Sequence, residues 1–408
     1  MPPHLVFSDS ARNMIAAHPV CRPAAWLFCR VIDNYGDIGV AWRLACRLAE
    51  AGFQVALWHD HPPSLAALLG GQPLPPDIRV HAWQGDNAAG LAGEAAAAVP
   101  ALVVETFGCD LPEAVLAHVR RSGALWLNWE YLSAEDWAEA MHGKPSLQAD
   151  GTDKYFWLMG FSAESGGLLR ENAYAERRQA FLQDAAAQTA VRTALGLPET
   201  PPAACRWLFF GYDSPVWAEW LAAWQAWGQA AEWWLAGHQI ADSLRRSGAV
   251  PEHALRQAGD VWQAGTVRLV RVDFVPQSEF DKVLWLADGV TVRGEDSFVR
   301  AQLAGKPLLW HIYPQAEMAH ADKLHAFWQK MYARSAGAAW QAPHQQLSDE
   351  LNGIHGLSEE QCIAAWSALL NRLPEWRQGT AAWQQHLLAQ ADAVSRLLQR
   401  WPLVRQAT

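Results

Sequence analysis

Apolar positions recur along this chain at two spacings. Short apolar runs stand at 26–32, 54–58, 78–83, 101–105 and 124–129, each bounded by polar or turn-forming residues. Between them, at 40–51, 62–69, 88–98, 111–121 and 133–140, apolar residues fall three and four apart. The first spacing predicts strands and the second predicts helices. Their alternation predicts a mostly parallel sheet with helices on both faces. A further strand is expected near 155–159, then the glycine-bearing stretch Gly160 to Gly167 and a charged helical segment to about 195.

Leu197-Pro198-Glu199-Thr200-Pro201-Pro202-Ala203 breaks this rhythm and reads as a linker. The same rhythm then restarts. Strands are expected at 206–211, 232–236, 267–273, 289–292 and 307–310, with helices at 216–230, 239–247, 278–287 and 297–304. From about 317 the chain is helical. The pattern divides it into a poorly ordered leader (1–22), a first domain (23–200), a second domain (201–378) and a last helical segment (379–408) packing back toward the first domain. The fold class is α/β: two doubly wound, Rossmann-like domains facing a cleft. By analogy of architecture this is the GT-B arrangement of nucleotide-sugar glycosyltransferases, so function has to be argued from sites.

Composition narrows the setting. With 408 residues, 51% hydrophobic and 18% charged, the chain has material for two cores. Its 24 tryptophans read chiefly as core residues. A net charge of −10, without a basic stripe, argues against nucleic-acid binding. The six cysteines form no Cys-x-x-Cys pair, which fits a reduced, cytoplasmic setting. No apolar run is long enough for a signal peptide or a membrane span.

Candidate chemistry gathers where strands hand over to helices. Asp33-Asn34-Tyr35-Gly36-Asp37-Ile38-Gly39 follows the first strand, where open α/β sheets bind ligands. Two aspartates in such a loop suit a polar or cationic substrate better than a phosphate. Arg293-Gly294-Glu295-Asp296-Ser297-Phe298 occupies the same kind of position in the second half. Asp296 or Ser297 is a candidate N-cap, and the free N–H groups there would receive a pyrophosphate with help from Arg293. The plainer reading is a capped helix with a surface Arg293–Glu295 pair. Phe274-Val275-Pro276-Gln277-Ser278-Glu279-Phe280 could hold a pyrimidine, with the Gln277 amide on its edge and a ring on its face, or be a turn with buried aromatics. Tyr212 tops the second half's first strand, in reach of a phosphate. Phosphate-loop, dinucleotide and zinc-protease motifs are lacking. His59/His61 and His320/His325 read as surface residues rather than metal pairs. Without an Asp-x-Asp pair to hold a metal on a diphosphate, the expected chemistry needs no metal and no cofactor.

These loops, with Gln302-Leu303-Ala304-Gly305-Lys306-Pro307, Gly160-Phe161-Ser162 and Ser165 to Glu171, resemble the protein-arginine rhamnosyltransferases that modify bacterial elongation factor P. The resemblance runs from about Trp26 to the C-terminal helices. It implies an inverting GT-B enzyme whose donor is dTDP-β-L-rhamnose and whose partner is elongation factor P, rhamnosylated on one loop-tip arginine. The family's essential aspartate matches Asp37, with Asp33 beside it, and its essential glutamate matches Glu295. Its diphosphate positions match Tyr212, Arg293, Asp296 and Ser297, and its thymine positions match Phe274, Gln277 and Phe280. Tyr35 departs from a frequent phenylalanine, and Gly211-Tyr212-Asp213 from a Ser-Tyr-Glu-type turn. On this resemblance Asp37 orients the acceptor guanidinium and takes its proton, while Glu295 fixes the sugar and orients Arg293. Two rivals stand beside it: a GT-B enzyme with a lipid or glycan acceptor, and a noncatalytic nucleotide-sugar-binding protein.

Overall fold

The run Ala24–Cys29 is buried at every position, as a strand flanked on both sides and covered on both faces must be. Alternate side chains serve two cores: Ala25, Leu27 and Cys29 face one, and Trp26 and Phe28 face the other. The structure is a computed structural model that describes residues 22–197, apart from 34 and 86, and residues 205–405. The leader, except Arg22, and the linker beyond Leu197 lie outside the described residues.

The first sheet has eight strands: β1 (Ala24–Cys29), β2 (Gln54–His59), β3 (Ile78–Gln84), β4 (Asn87–Ala88), β5 (Pro100–Thr106), β6 (Leu125–Glu130), β7 (Pro145–Leu147) and β8 (Asp153–Leu158). Their spatial order is β4-β3-β2-β1-β5-β6-β8-β7. Only the short edge strands β4 and β7, which the apolar pattern does not predict, run antiparallel. Helices α1 (Gly36–Glu50), α2 (Pro62–Leu69), α3 (Leu91–Ala97), α4 (Glu113–Ser122) and α5 (Asp136–Met141) connect the strands. The order turns around between β1 and β5, so the loop after β1 lies at a topological switch point.

Next come α6 (Tyr174–Gln183) and α7 (Ala185–Ala194). The second sheet contains β9 (Cys205–Phe209), β10 (Ala231–Ala236), β11 (Val261–Ala264), β12 (Val267–Val272), β13 (Gly289–Arg293) and β14 (Leu308–His311), in the order β11-β12-β10-β9-β13-β14. Helices α8 (Val216–Trp227), α9 (Gln239–Arg246), α10 (Gln277–Leu286) and α11 (Asp296–Ala304) connect it. The chain ends in α12 (Ala319–Tyr332), α13 (Gln341–Leu351), α14 (Glu359–Asn371), α15 (Leu373–Leu388) and α16 (Ala393–Arg400). Its switch point falls at β9, beside β13, which carries the second candidate loop.

Two boundaries differ from expectation. Tyr174 and Phe181 pack on Trp285 of α10, so α6 and α7 go with the second domain and its border moves back toward Arg170–Glu171. The helix expected at 379–400 is two helices, because the Asp392 side chain accepts from Val394 and Ser395 N–H and starts a new one. That new helix lies on the first domain: Arg400 reaches Gly143 O at 3.0 Å, and Trp401 meets Tyr155. The chain's outward and return crossings run side by side. Ala393 N–H donates to Leu168 O at 2.9 Å, and Arg396 donates to the carbonyls of Ser162 and Ser165.

Tryptophan fills the cores. The largest fully buried side chains are all tryptophans, and Trp310 alone among them also lines the cleft. His59 and His320 are buried rather than at the surface, and His320 is held by Gln315 N–H and the Asn352 carbonyl. No helix of the described residues is long and apolar enough to cross a membrane.

Candidate active site

Helix α1 begins at Gly36, four residues before its apolar periodicity, so Gly36, Asp37 and Gly39 lie in its first turn. Asp37 is responsible. Its carboxylate reaches back to the strand exit and accepts from Ile32 N–H at 2.7 Å and Asp33 N–H at 2.9 Å. This closes the loop as a cap would. Its other oxygen accepts from the Tyr131 hydroxyl at 3.3 Å. Asp37 is only 2% exposed. Burial pushes its carboxyl up, the two backbone N–H groups oppose this, and the charges of Asp33 and Glu295 add to the rise.

Asp33 projects toward the second domain, where Tyr212 OH donates to its Oδ2 at 3.2 Å. Burial raises the Asp33 carboxyl, and Arg293 and the Tyr212 bond pull it down. A Cβ on Gly36 would sit 2.7 Å from Asp33 Oδ2, so glycine is required for Asp33 to hold this pose. Tyr212 N–H in turn donates to His311 Nδ1 at 3.2 Å. Burial holds the His311 imidazole down at about 3, so it stays a neutral acceptor.

Glu295 does not pair with Arg293, in the surface or in any other way. Its Oε2 accepts from Leu132 N–H of the first domain at 3.0 Å, and its Oε1 accepts from Lys323 Nζ at 2.8 Å. Arg293 instead lies over the rings of Phe210 and Tyr212, at 4.7 and 4.8 Å, and donates to Gln239. Glu295 itself occupies the N-cap position of α11 and makes no side-chain cap bond. Neither Asp296 nor Ser297 is the N-cap, since the helix starts one residue earlier than the sequence indicates; Ser297 Oγ donates back to Arg293 O. The helix's first N–H groups therefore remain available to an anion.

Two side chains expected at the ligand also bond across the domains. The Asp296 carboxylate takes a fork from Arg43 of α1, at 2.6 and 3.0 Å. Burial raises the Asp296 carboxyl, but Arg43 outweighs it and holds the group below the usual range. Arg43 also donates to Glu171 at 2.5 Å, which pairs with Arg300, which pairs with Asp281. The Gln277 amide nitrogen donates to Gly39 O at 2.9 Å and Asp296 Oδ2 at 2.8 Å. Asp296 and Gln277 thus tie the domains together with their side chains, and both residues also line the cleft. Arg43 and Arg300 are buried arginines that the sequence reading did not single out.

The cleft has two lobes. The first, about 850 Å³, is lined by Phe210, Phe274, Phe280, Arg293, Ser297 and Leu195, among others. Phe280 meets Phe210 edge to face, and the half-exposed Phe274 meets Tyr35 across the cleft at 5.3 Å. The second, about 1350 Å³, is lined by Asp37, Phe107, Tyr131, Tyr313 and Lys323, among others. Asp33, Gly36, Gly294 and Glu295 line both. Tyr131, Lys323 and Phe107 escaped sequence reading, although Tyr131 and Phe107 stand just past strand ends and stack at 4.1 Å.

Known proteins bear on this geometry. The model of the family described as elongation-factor P (EF-P) rhamnosyltransferase EarP matches residues 26–401. A protein-arginine rhamnosyltransferase of Neisseria meningitidis serogroup B is 50% identical over 377 residues, covering 91% of this chain and 95% of that protein. Its namesake from Pseudomonas aeruginosa is 38% identical over 390 residues, covering 92% and 98%. A solved structure concerned with EarP-mediated arginine glycosylation of translation elongation factor EF-P superposes with a TM-score of 0.61 at 29% identity, covering 93% of this chain and 98% of that one. MurG of Acinetobacter baumannii, at 12% identity and a TM-score of 0.51 over 95% of this chain and all of its own (100%), shares the fold alone. The fold is GT-B, and the chain belongs to the EarP family, whose enzymatic class is that of the protein-arginine rhamnosyltransferases.

Proposed function

We propose that this enzyme moves L-rhamnose from dTDP-β-L-rhamnose to one arginine of translation elongation factor P, activating that factor in the cytoplasm. One observation supports this reading above others: Asp33 and Glu295 stand where the two lobes meet, and Asp37 lines the second. The first lobe is assigned to the nucleotide. Phe274 and Phe280 stack on thymine, and the Gln277 oxygen and backbone face its edge. Tyr212, Arg293, Ser297 and the backbone of Asp296 receive the diphosphate. The second lobe is assigned to the acceptor arginine.

A guanidinium keeps its proton in water, with a pKa above about 12, and is a poor nucleophile. Asp37, with Asp33 beside it, accepts its N–H groups as a fork and removes one proton. The freed nitrogen electron pair attacks the anomeric carbon from the face opposite the diphosphate, the carbon–oxygen bond breaks, and configuration inverts. Departing charge falls on Arg293 and the α11 N-terminus, so no step is assigned to a metal or a cofactor. Glu295, turned away from Arg293, is assigned to a rhamnose hydroxyl.

Intact-mass analysis of unmodified elongation factor P, incubated with the enzyme and dTDP-L-rhamnose, tests the whole reading. One deoxyhexose on a single arginine is expected. No mass gain, with dTDP still bound, would redirect the search to another acceptor.

A further inference from the structure

Lys323 is an unexpected side chain in a cavity meant for a cation. Among the described residues lining the second lobe it is the one lysine or arginine. It enters from α12, is 16% exposed, and donates to Glu295 Oε1 at 2.8 Å. Its ammonium lies 5.7 Å from the centre of the Tyr131 ring and 5.9 Å from that of Trp310. The same Tyr131 holds Asp37 Oδ1 through its hydroxyl. One aromatic ring therefore separates this ammonium from the carboxylate assigned as base.

A site that only had to bind arginine would omit such a group, because two cations in one pocket repel. Chemistry reverses the argument. A nearby positive charge disfavours the charged form of a guanidinium and favours the ionised form of a carboxylate. The first effect eases loss of the acceptor's proton, and the second keeps Asp37 ionised, and so able to receive it, down to lower pH. The other charged or titratable groups lining this lobe are Glu295 ahead of α11, Asp33 and Asp37 around the start of α1, Tyr131 after β6 and Tyr313 after β14. Arg293 serves the other lobe. On its own helix, His320 is turned into bonds with Gln315 and Asn352.

We propose that Lys323 is a positioning residue for the transfer step: it fixes Glu295 by an ion pair and supplies the positive charge that eases loss of the acceptor's proton and keeps Asp37 ionised to receive it. This rests on the assignment of the second lobe to the acceptor arginine. The guanidinium gives one N–H proton to the Asp37 carboxylate, its nitrogen pair forms the new bond to the anomeric carbon, and the nucleotide diphosphate leaves with the old bond's electrons.

The test is steady-state transfer to elongation factor P from dTDP-L-rhamnose, across pH, by the wild-type enzyme, K323Q, K323M and K323R. K323M keeps an unbranched apolar stem, so it replaces K323Q should the latter fail to fold. The neutral variants are expected to lose about tenfold or more in kcat while KM for the acceptor stays level or falls. Their acidic limb of kcat is expected to move up by about half a pH unit or more. K323R is expected to restore most of kcat. Neutral variants with wild-type kcat, or with raised KM and an unmoved limb, would overturn the proposal. Absence of transfer by the folded wild-type enzyme would overturn the acceptor reading and this proposal with it.

Discussion

The Tyr212 hydroxyl and Asp33 Oδ2 lie 3.2 Å apart, and the two residues belong to different domains. The bond joins a group assigned to the diphosphate with one assigned to the acceptor. A hydrogen bond to a charged group contributes about 1.5–3 kcal/mol, so Tyr212→Phe is expected to lower kcat/KM for the donor roughly ten- to hundredfold. The phenyl ring keeps its stack under Arg293, at 4.8 Å from the guanidinium, so dTDP affinity should fall much less. Kinetics and calorimetry on the same variant separate the two effects.

Asp37 must be ionised to take a proton. Burial raises its pKa, with Asp33 and Glu295 adding to the rise against the two backbone N–H bonds. As pH falls through that raised value the carboxylate is protonated and turnover is lost. The acidic limb of the rate profile is therefore expected above the ordinary aspartate value of about 3.9. A limb at the ordinary value would remove Asp37 from the base role. Asp37→Ala should abolish transfer and leave dTDP binding nearly intact, since Asp37 lines only the second lobe.

Gly36 has no room for a methyl group, because Asp33 Oδ2 stands 2.7 Å from where its Cβ would be. In Gly36→Ala the carboxylate has to swing aside. We expect transfer to drop by roughly tenfold or more while the melting temperature barely moves, as misplacing a reacting group costs far more in rate than in stability. Full activity would mean that the pose of Asp33 is immaterial.

Arg43 is 5% exposed and bonded to Asp296 and Glu171. Arg43→Met leaves the Asp296 carboxylate without its cationic partner in the domain interface, while Glu171 keeps Arg300. Losing one partner of a buried pair costs about 3–5 kcal/mol, and a loss of that order is expected in urea unfolding, together with weaker dTDP binding. Stability within about 1 kcal/mol of wild type would show that the network is replaceable.

Phe280 lines the first lobe at its apolar end, beside Phe210. Aromatic stacking on a base is worth about 1–3 kcal/mol, so Phe280→Ala should weaken dTDP roughly five- to hundredfold. Unchanged affinity would move the base elsewhere.

What was legible in the sequence follows one physical rule. The loops after β1, β9 and β13 were found because strand ends in doubly wound sheets are local features, readable from a few consecutive residues. The bonds that Asp296 and Gln277 make across the domains are not legible in the sequence, because their partners, Arg43 and Gly39, lie 253 and 238 residues away and leave no mark nearby. Glu295 was turned toward Arg293 for the same reason: adjacency in the chain suggested a pair, whereas the fold supplies Leu132 and Lys323. The early start of α1 was hidden because its first turn is Gly36-Asp37-Ile38-Gly39, poor helix formers stabilised by Asp37's own bonds to the strand exit.

The paired crossings have a mechanical meaning. Were the domains joined by a single tether, each could swivel freely on the other. Two adjacent segments, tied by the bond from Ala393 to Leu168 and clasped by Arg396, leave one easy rotation, about a line through both. Such a joint behaves like a door on two pins. Any opening of the cleft about that line would follow a single arc, so Tyr212 would return to Asp33, and Glu295 to Leu132, in the same register.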